Sequence, residues 1–512
     1  MMIALRLLAT PLFLIALAAT PMQAGADIVT VDSAADDQPV DACTLRQAIA
    51  LVNGSGNTGN CQADGTASPP EIHFDLSLPA TITLDAGLGQ LNPTTSVLIQ
   101  GPGMDQLTLS GNNQVRLFSS FTGGVTLYLR DLRIANGRSP DGEAGGGIGI
   151  CCGFSLDLAR VHVHNNHSPF AGGGIDANGN IVMRDSIIEG NTAVDDDPTG
   201  TSLSFGGGVR VPGFGDQALF ERVQFIDNTT GSLVSGANPG VGGALATANS
   251  RVVTVIDSSF SGNQALGVQQ RTGSNPIPTG MGGQGGAIYS TSEVNVIRST
   301  VADNTASFEG GGIFNVGTTQ VVNATIANNT VPSASSPSEG GGIANAANNG
   351  SPGIPPVVLE LNHVTLYGNS AGLGGGLHNR RANAAQVLIH NSAFGHTGPG
   401  QTGGDIVNGG DGELTGTHNL IENAATAGGL VDGVDGNIIG TSAGFVGLGD
   451  FGGLTRTVNF DFTSALFDAG DSGNCPETDQ RGVLRPQGTG CDIGSVELTE
   501  QIFNDRFETP NP

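Results

Sequence analysis

Lysine and tryptophan are both absent from this 512-residue chain, and only three tyrosines occur. All 19 cations are therefore arginines, set against 46 acids for a formal net charge of -27. An acid excess of this size argues against nucleic acid and anionic membrane surfaces as partners, because both would be repelled. Without lysine there is no Schiff-base chemistry and no phosphate-binding P-loop, so the many Gly-rich runs are not nucleotide loops. They read instead as tight turns and close backbone packing. Without tryptophan the largest aromatic platform for a sugar ring is missing. Long apolar runs are scarce as well, apart from Leu7 to Ala19. That run follows Arg6 and precedes Ala24-Gly25-Ala26, the pattern of a signal peptide over residues 1–26, and it is too short to span a bilayer. The mature chain is expected to be exported, with no transmembrane span. Six cysteines fit an oxidising compartment. Cys43 and Cys61 bracket one short segment, Cys475 and Cys491 another, and these are the expected disulfides. Cys151-Cys152 either closes a bond or remains two thiols.

What the chain has in quantity is repetition. An apolar residue, two variable residues and an Asn recur as Val163 to Asn166, Ile188 to Asn191, Phe225 to Asn228, Phe260 to Asn263, Val301 to Asn304, Ile326 to Asn329 and Leu366 to Asn369. Gly-Gly or Gly-Ala then precedes an aliphatic residue at Ile148, Ile175, Val209, Leu245, Ile288, Ile313, Ile343 and Leu377. These eight lie 25 to 43 residues apart, a period that signals stacked repeats rather than one globular core. The β-rich runs between them, such as Thr81 to Leu84 and Val125 to Leu129, are too closely spaced for crossover helices. The fold class that follows is all-β: a right-handed, single-stranded parallel β-helix, a solenoid of about a dozen coils and roughly 60 Å at an inter-strand spacing of about 4.8 Å.

Columns aligned on the Asn phrase test that reading. Leu129, Leu158, Met183, Phe220, Val255, Val296, Val321, Leu361 and Ile389 fall in one column that is apolar throughout, as an inward ladder must be. Two residues on, Asp131, Arg160, Asp185, Arg222, Asp257 and Arg298 alternate in sign before Asn323, His363 and Asn391. Stacked in register, each Asp would lie between two Arg, along a single corner of the solenoid. The Asn of the phrase is expected to adopt the left-handed backbone of a tight turn and to bond to its copy one coil along.

The one convincing helix lies at 41–53, where Thr44 and Gln47 form a capping box and Leu45, Ala48, Ile49 and Val52 share a face. It is expected to cap the exposed edge of the first coil. The resulting division is a signal peptide at 1–26, an N-terminal cap at 27–75, the β-helix at 76–440, a C-terminal cap at 441–497 and a tail at 498–512.

Candidate sites come from the uneven loops. The longest insertions, 192–205, 229–241 and 264–284, follow successive Asn phrases and are expected to stand side by side as one lip. Arg210, Ala246, Tyr289 and Phe314 each follow an inward aliphatic residue, so alternation turns them outward beside it. Arg210, Tyr289 and Phe314 are thus candidate ligand-binding residues. Asp195-Asp196-Asp197, in the first insertion, is a candidate Ca²⁺ site, since carboxylate oxygens suit that ion. His162, His164 and His167 have ligand-like spacing, although exposed histidines account for them equally well. No cofactor other than Ca²⁺ and no catalytic residue emerges.

Two end motifs resemble known families. Cys43-Thr-Leu-Arg-Gln-Ala-Ile49 resembles the opening of CSLREA-type exported bacterial proteins, with Thr44 for Ser and Gln47 for Glu. Asp468-Ala-Gly470, Asp479 to Gly482, Arg485-Pro486 and Cys491 to Glu497 resemble the choice-of-anchor Q domain. The Gly-Gly-aliphatic and Phe-x-x-Asn phrases are similar to repeats of chlamydial polymorphic outer-membrane proteins. The resemblance implies a β-helix displayed at or released from a bacterial surface, and it brings no catalytic residues. The expectation is a monomeric, adhesin-like interaction protein that binds a glycan or another cell-surface component. A polysaccharide lyase or glycoside hydrolase is the rival reading, and a structural envelope component the third.

Overall fold

The structure, a computed structural model, describes residues 28–37, 41–64, 68–195, 203–213, 217–233, 239–248, 251–268, 282–332, 338–346, 357–380, 385–395, 403–409 and 412–499. It is a right-handed parallel β-helix. Each coil begins with a long strand such as Asn180–Glu189, turns at an Asn, adds a two-residue strand such as Thr192–Ala193, and passes through Gly-Gly into a third strand such as Val209–Val211. Stacking generates a 21-stranded sheet, a five-stranded sheet and a ten-stranded sheet. In the ten-stranded sheet the eight predicted aliphatic residues form one unbroken ladder, Ile148 pairing with Ile175, then Val209, Leu245, Ile288, Ile313, Ile343 and Leu377. The nine apolar residues from Leu129 to Ile389 form the facing ladder, all fully buried. Between the ladders lies a continuous core, and burial of apolar area at about 25 cal/mol per Å² is its driving force.

The charged column lies along one corner, where the long strand bends. All nine of its residues, Asp131 to Asn391, have φ between 46° and 56°. The left-handed conformation lets the chain turn there without leaving either sheet. Arg160 binds Asp131, Arg222 binds Asp185 and Arg298 binds Asp257, each through two guanidinium nitrogens. Each of these Asp is therefore hydrogen-bonded to the Arg that follows it, and Asp185 feels the preceding Arg160 only through its charge. The Arg160 guanidinium holds Asp131 below the usual carboxylate range, and Arg222 does the same for Asp185.

The Asn phrase needs one correction. Asn166, Asn191, Asn228, Asn263, Asn304, Asn329 and Asn369 do bond coil to coil, with Nδ2 to Oδ1 distances of 2.9–3.0 Å. The left-handed residue is the one before each, among them Asn165, Gly190, Asp227 and Gly262. The Asn side chain points inward, fully buried, and replaces main-chain pairing where the corner interrupts the sheet. A second ladder, Asn315 to Asn345 to Asn379 to Asn408, runs across strands of the ten-stranded sheet itself. In the Gly triplets the first position turns left-handed (Gly172, φ 59°), and a Cβ on the second would meet the next coil at 2.3 Å, as at Gly173.

Helix α1 (Leu45–Val52) carries the expected capping box and packs on the first strands. Cys43–Cys61, Cys475–Cys491 and the vicinal Cys151–Cys152 are all bonded. The C-terminal segment departs from the expected end cap. It folds back along the side of the solenoid as a strap. Phe460, Leu466, Ile493 and Val496 pack on Ala393 and Leu420. Farther back, Gln480 joins Thr300 and Thr325, Ser495 joins Thr325 and Thr365, and Thr455 reaches the carbonyl of Arg298. The strap is seated there because these coils present small or hydroxyl side chains outward, and its own polar groups complete their hydrogen bonds. No helix among the described residues is long and apolar enough to cross a membrane.

Candidate functional site

The outward row of the ten-stranded sheet runs Ser119, Gly149, Asp176, Arg210, Ala246, Tyr289, Phe314, Ala344, His378 and Val407. Arg210, Tyr289 and Phe314 thus stand in one line, as alternation predicts. The insertions also start and finish in register, Thr192 with Thr229 and Gln264, and Phe205 with Val241 and Gln284. Residues 196–202, 234–238 and 269–281, between these flanks, lie outside the described residues, and with them most of the expected lip.

Exposure is where the expectation fails. Phe314 is only 3% exposed, stacked at 5.6 Å on Tyr289 and packed against Ala344 and Ala346. Arg210 is not a free cation. Its Nε lies 3.0 Å from Asp176 Oδ1, and its guanidinium sits over the Phe170 ring at 5.5 Å. Burial pushes the Asp176 carboxyl up to about 6, against the pull of Arg210 and Arg116. Outward therefore does not mean solvent-facing here, because neighbouring rows close over the side chains. Phe314→Ala would open a cavity and cost about 3 kcal/mol, so it is unsuitable as a probe of binding alone.

Beside this row lies a cluster that the loop and motif reading missed. The residues just before the Gly triplets stack as Val241, Gln284, Glu309, Glu339 and Leu373. The Glu309 and Glu339 carboxyls are hydrogen-bonded to each other, which raises Glu309 and lowers Glu339. Gln284 Nε2 donates to Glu309, and Arg380 reaches across from the row beyond to pair with it. His378 Nδ1 lies 3.2 Å from Glu339 Oε2. Burial, opposed by Arg380, pushes Glu309 up to about 7. Glu339 is held below the usual glutamate value: burial works against this, but the hydrogen bond and charge of His378 outweigh it. The signal was present, since Glu309 and Glu339 each immediately precede a Gly triplet, but only alignment on the triplets stacks them.

A pH dependence follows. A carboxyl whose folded value is raised binds its proton more tightly when folded, so its contribution to stability is lost as pH rises from about 4.5 to about 7. Glu309→Gln is expected to match the native protein at pH 5 and exceed it by up to about 3 kcal/mol at pH 8. Denaturation midpoints at the two pH values would show this, and equal effects at both would contradict it.

Of the proposed metal ligands, Asp195 is half-buried, while Asp196 and Asp197 lie outside the described residues. The three histidines do not converge. His162 and His164 face out of one sheet with ring centroids 4.5 Å apart, and His162 Nε2 lies 2.8 Å from Glu189. His167 lies on another sheet, against Thr192. Nor are His162 and His164 the exposed side chains expected, since both are half-buried, and burial, reinforced by the charge of His162, brings His164 down to about 4. His363 approaches Cys475 and Cys491, but these sulfurs are joined in a disulfide and offer no thiolate.

Residues 257–291 match the Chlamydia polymorphic membrane protein repeat. No curated protein matches the chain. Among solved structures, pectate lyase Pel9A is similar at a TM-score of 0.40 and 12% identity, over 92% of this chain and 96% of that one. The catalytic unit of a thermostable GH87 alpha-1,3-glucanase from Streptomyces thermodiastaticus strain HF3-3 is similar at a TM-score of 0.28 and 12% identity, over 77% and 70%. Likeness at this level concerns the coiled path of the chain, not its chemistry.

Proposed function

We propose that this chain is a secreted or cell-surface interaction protein of bacterial type, adhesin-like, which holds a glycan against its ten-stranded face. The observation that carries the reading is the row itself. Arg210, Tyr289, His378 and Arg380 stand along one face of a rigid sheet, beside buried carboxyls and at the foot of the longest insertions. A fixed line of arginine, tyrosine and histidine side chains suits an extended chain of sugar hydroxyls better than a compact ligand. The matched repeat supports surface display, and the CSLREA-like and choice-of-anchor-like ends support export and attachment. The test is binding of the full chain to a glycan array and to intact cells. Arg210→Ala, Tyr289→Ala and Arg380→Ala are each expected to weaken attachment about tenfold or more, compared at a temperature where each variant is shown to be folded, because Arg210 and Arg380 also pair with the buried Asp176 and Glu309 and Tyr289 stacks on Phe314. Attachment unaffected by all three would remove the ten-stranded face from consideration.

A further inference from the structure

The strap covers one half of a surface and leaves the other half open. The row that seats it runs Thr300, Thr325, Thr365, Ala393, Leu420. In the other direction the same row continues as Ser259, Gln224, Ile187, His162 and Arg133. Among the described residues, no part of the strap lies over it. A groove of about 600 Å³ remains, floored by Ile187, Gln224, Ser259 and Ser261 and walled along one side by Asp185, Arg222 and Asp257 of the charged corner. The strap's leading turn, Leu454 to Arg456, closes one end. Met104 closes the other, on a loop pinned by the ion pair of Asp105 with Arg133.

We propose that this groove binds an extended polypeptide segment of a partner protein, lying in line with the strap and abutting Leu454. The strap shows how the surface takes a polypeptide. Outward hydroxyls and amides receive its main chain and its polar side chains: Thr300 donates to the carbonyl of Arg456, Asn323 to that of Thr478, and Gln480 bridges Thr300 and Thr325. Gln224, Ser259 and Ser261 continue this chemistry, each able to donate and accept, as a peptide main chain requires. The corner supplies charges of both signs. The apolar contacts are aliphatic: Leu454, 67% exposed, with Ile187 and Met104, while the one aromatic side chain in the lining, Phe260, is fully buried. A groove with aliphatic side chains at its ends and on its floor, and no exposed ring, favours peptide side chains over stacked sugars. From the Ile187 rung to the Thr300 rung is roughly 15 Å, room for about four or five extended residues.

This site is separate from the ten-stranded face and does not depend on the glycan reading. The test pans a displayed library of random linear peptides against the purified full-length protein. Enriched peptides are then measured against Leu454→Asp, Ile187→Asp and, at an exposed position where folding is not in question, Gln224→Ala. The expected result is peptides whose affinity falls about tenfold or more with Leu454→Asp and Ile187→Asp, falls measurably with Gln224→Ala, and is unchanged by Arg210→Ala. Peptides indifferent to all three groove substitutions would overturn the proposal. So would a groove that instead takes oligosaccharides from a glycan panel in a Gln224-dependent manner.

Discussion

Asn263→Ala is expected to cost about 4 kcal/mol, more than any exposed substitution in the solenoid. Its Oδ1 accepts from both the main-chain N–H and the Nδ2 of Asn228, at 3.0 Å each. Its Nδ2 donates to the Phe225 carbonyl at 3.0 Å and to Asn304 Oδ1 at 2.9 Å. Alanine would leave donors and acceptors unpaired in a fully buried region, at about 1–3 kcal/mol each before relaxation. Coils touch only their neighbours, so the damage should also be local. Hydrogen exchange should accelerate in the coils around Asn228 and Asn304 well before it does at α1 or in the first coils. A loss no larger than that of Gln224→Ala would show that the ladder does not hold the coils in register.

Arg485→Ala should release the strap. The Arg485 side chain is fully buried, donates to the carbonyls of Asp492 and Gly494 at 2.9 and 2.8 Å, and pairs with Glu497 at 2.9 Å. Beside it, burial and the charge of Glu497 push Asp492 up to about 7. Removing the guanidinium leaves buried carboxyls without their cation, a loss of about 3–5 kcal/mol. Residues 443–498 should become sensitive to protease, and Thr300, Thr325 and Thr365 should gain exchange, while the ladders upstream of Ser259 stay protected. Replacing Arg485 and Glu497 together with methionine and leucine should restore part of the loss, because the Glu497 carboxylate is then no longer stranded beside Asp492. A strap that stays protected in the single variant would place its anchorage in the apolar contacts of Phe460, Leu466 and Ile493 instead.

The sequence by itself determined the architecture of this protein. Ile148 through Leu377 and Leu129 through Ile389 are legible as ladders because a parallel β-helix brings the same position of every coil into contact, so the contact pattern is written as a period along the chain. The capping box at Thr44 and Gln47 was equally legible, because a helix start is settled within a few residues. The ion pairs of the corner column belong to the same class, since alternation of charge survives in the alignment. Tertiary structure decided the rest. Which residue of each corner turns left-handed depends on how two sheets meet, and Asn166 and Asn165 are both compatible with such a turn. That Phe314 is covered although it points away from the core depends on the packing of Tyr289 and Ala344 from adjacent coils, not on alternation along its own strand. The Glu309–Glu339–Arg380 cluster arises only when three coils are stacked. The course of the strap rests on contacts such as Gln480 with Thr300, 180 residues apart, made once and never repeated. A periodic signal reports contacts that recur with the coil. Those made once, between an irregular segment and a regular face, leave no trace in it, and they fix the groove beside Leu454.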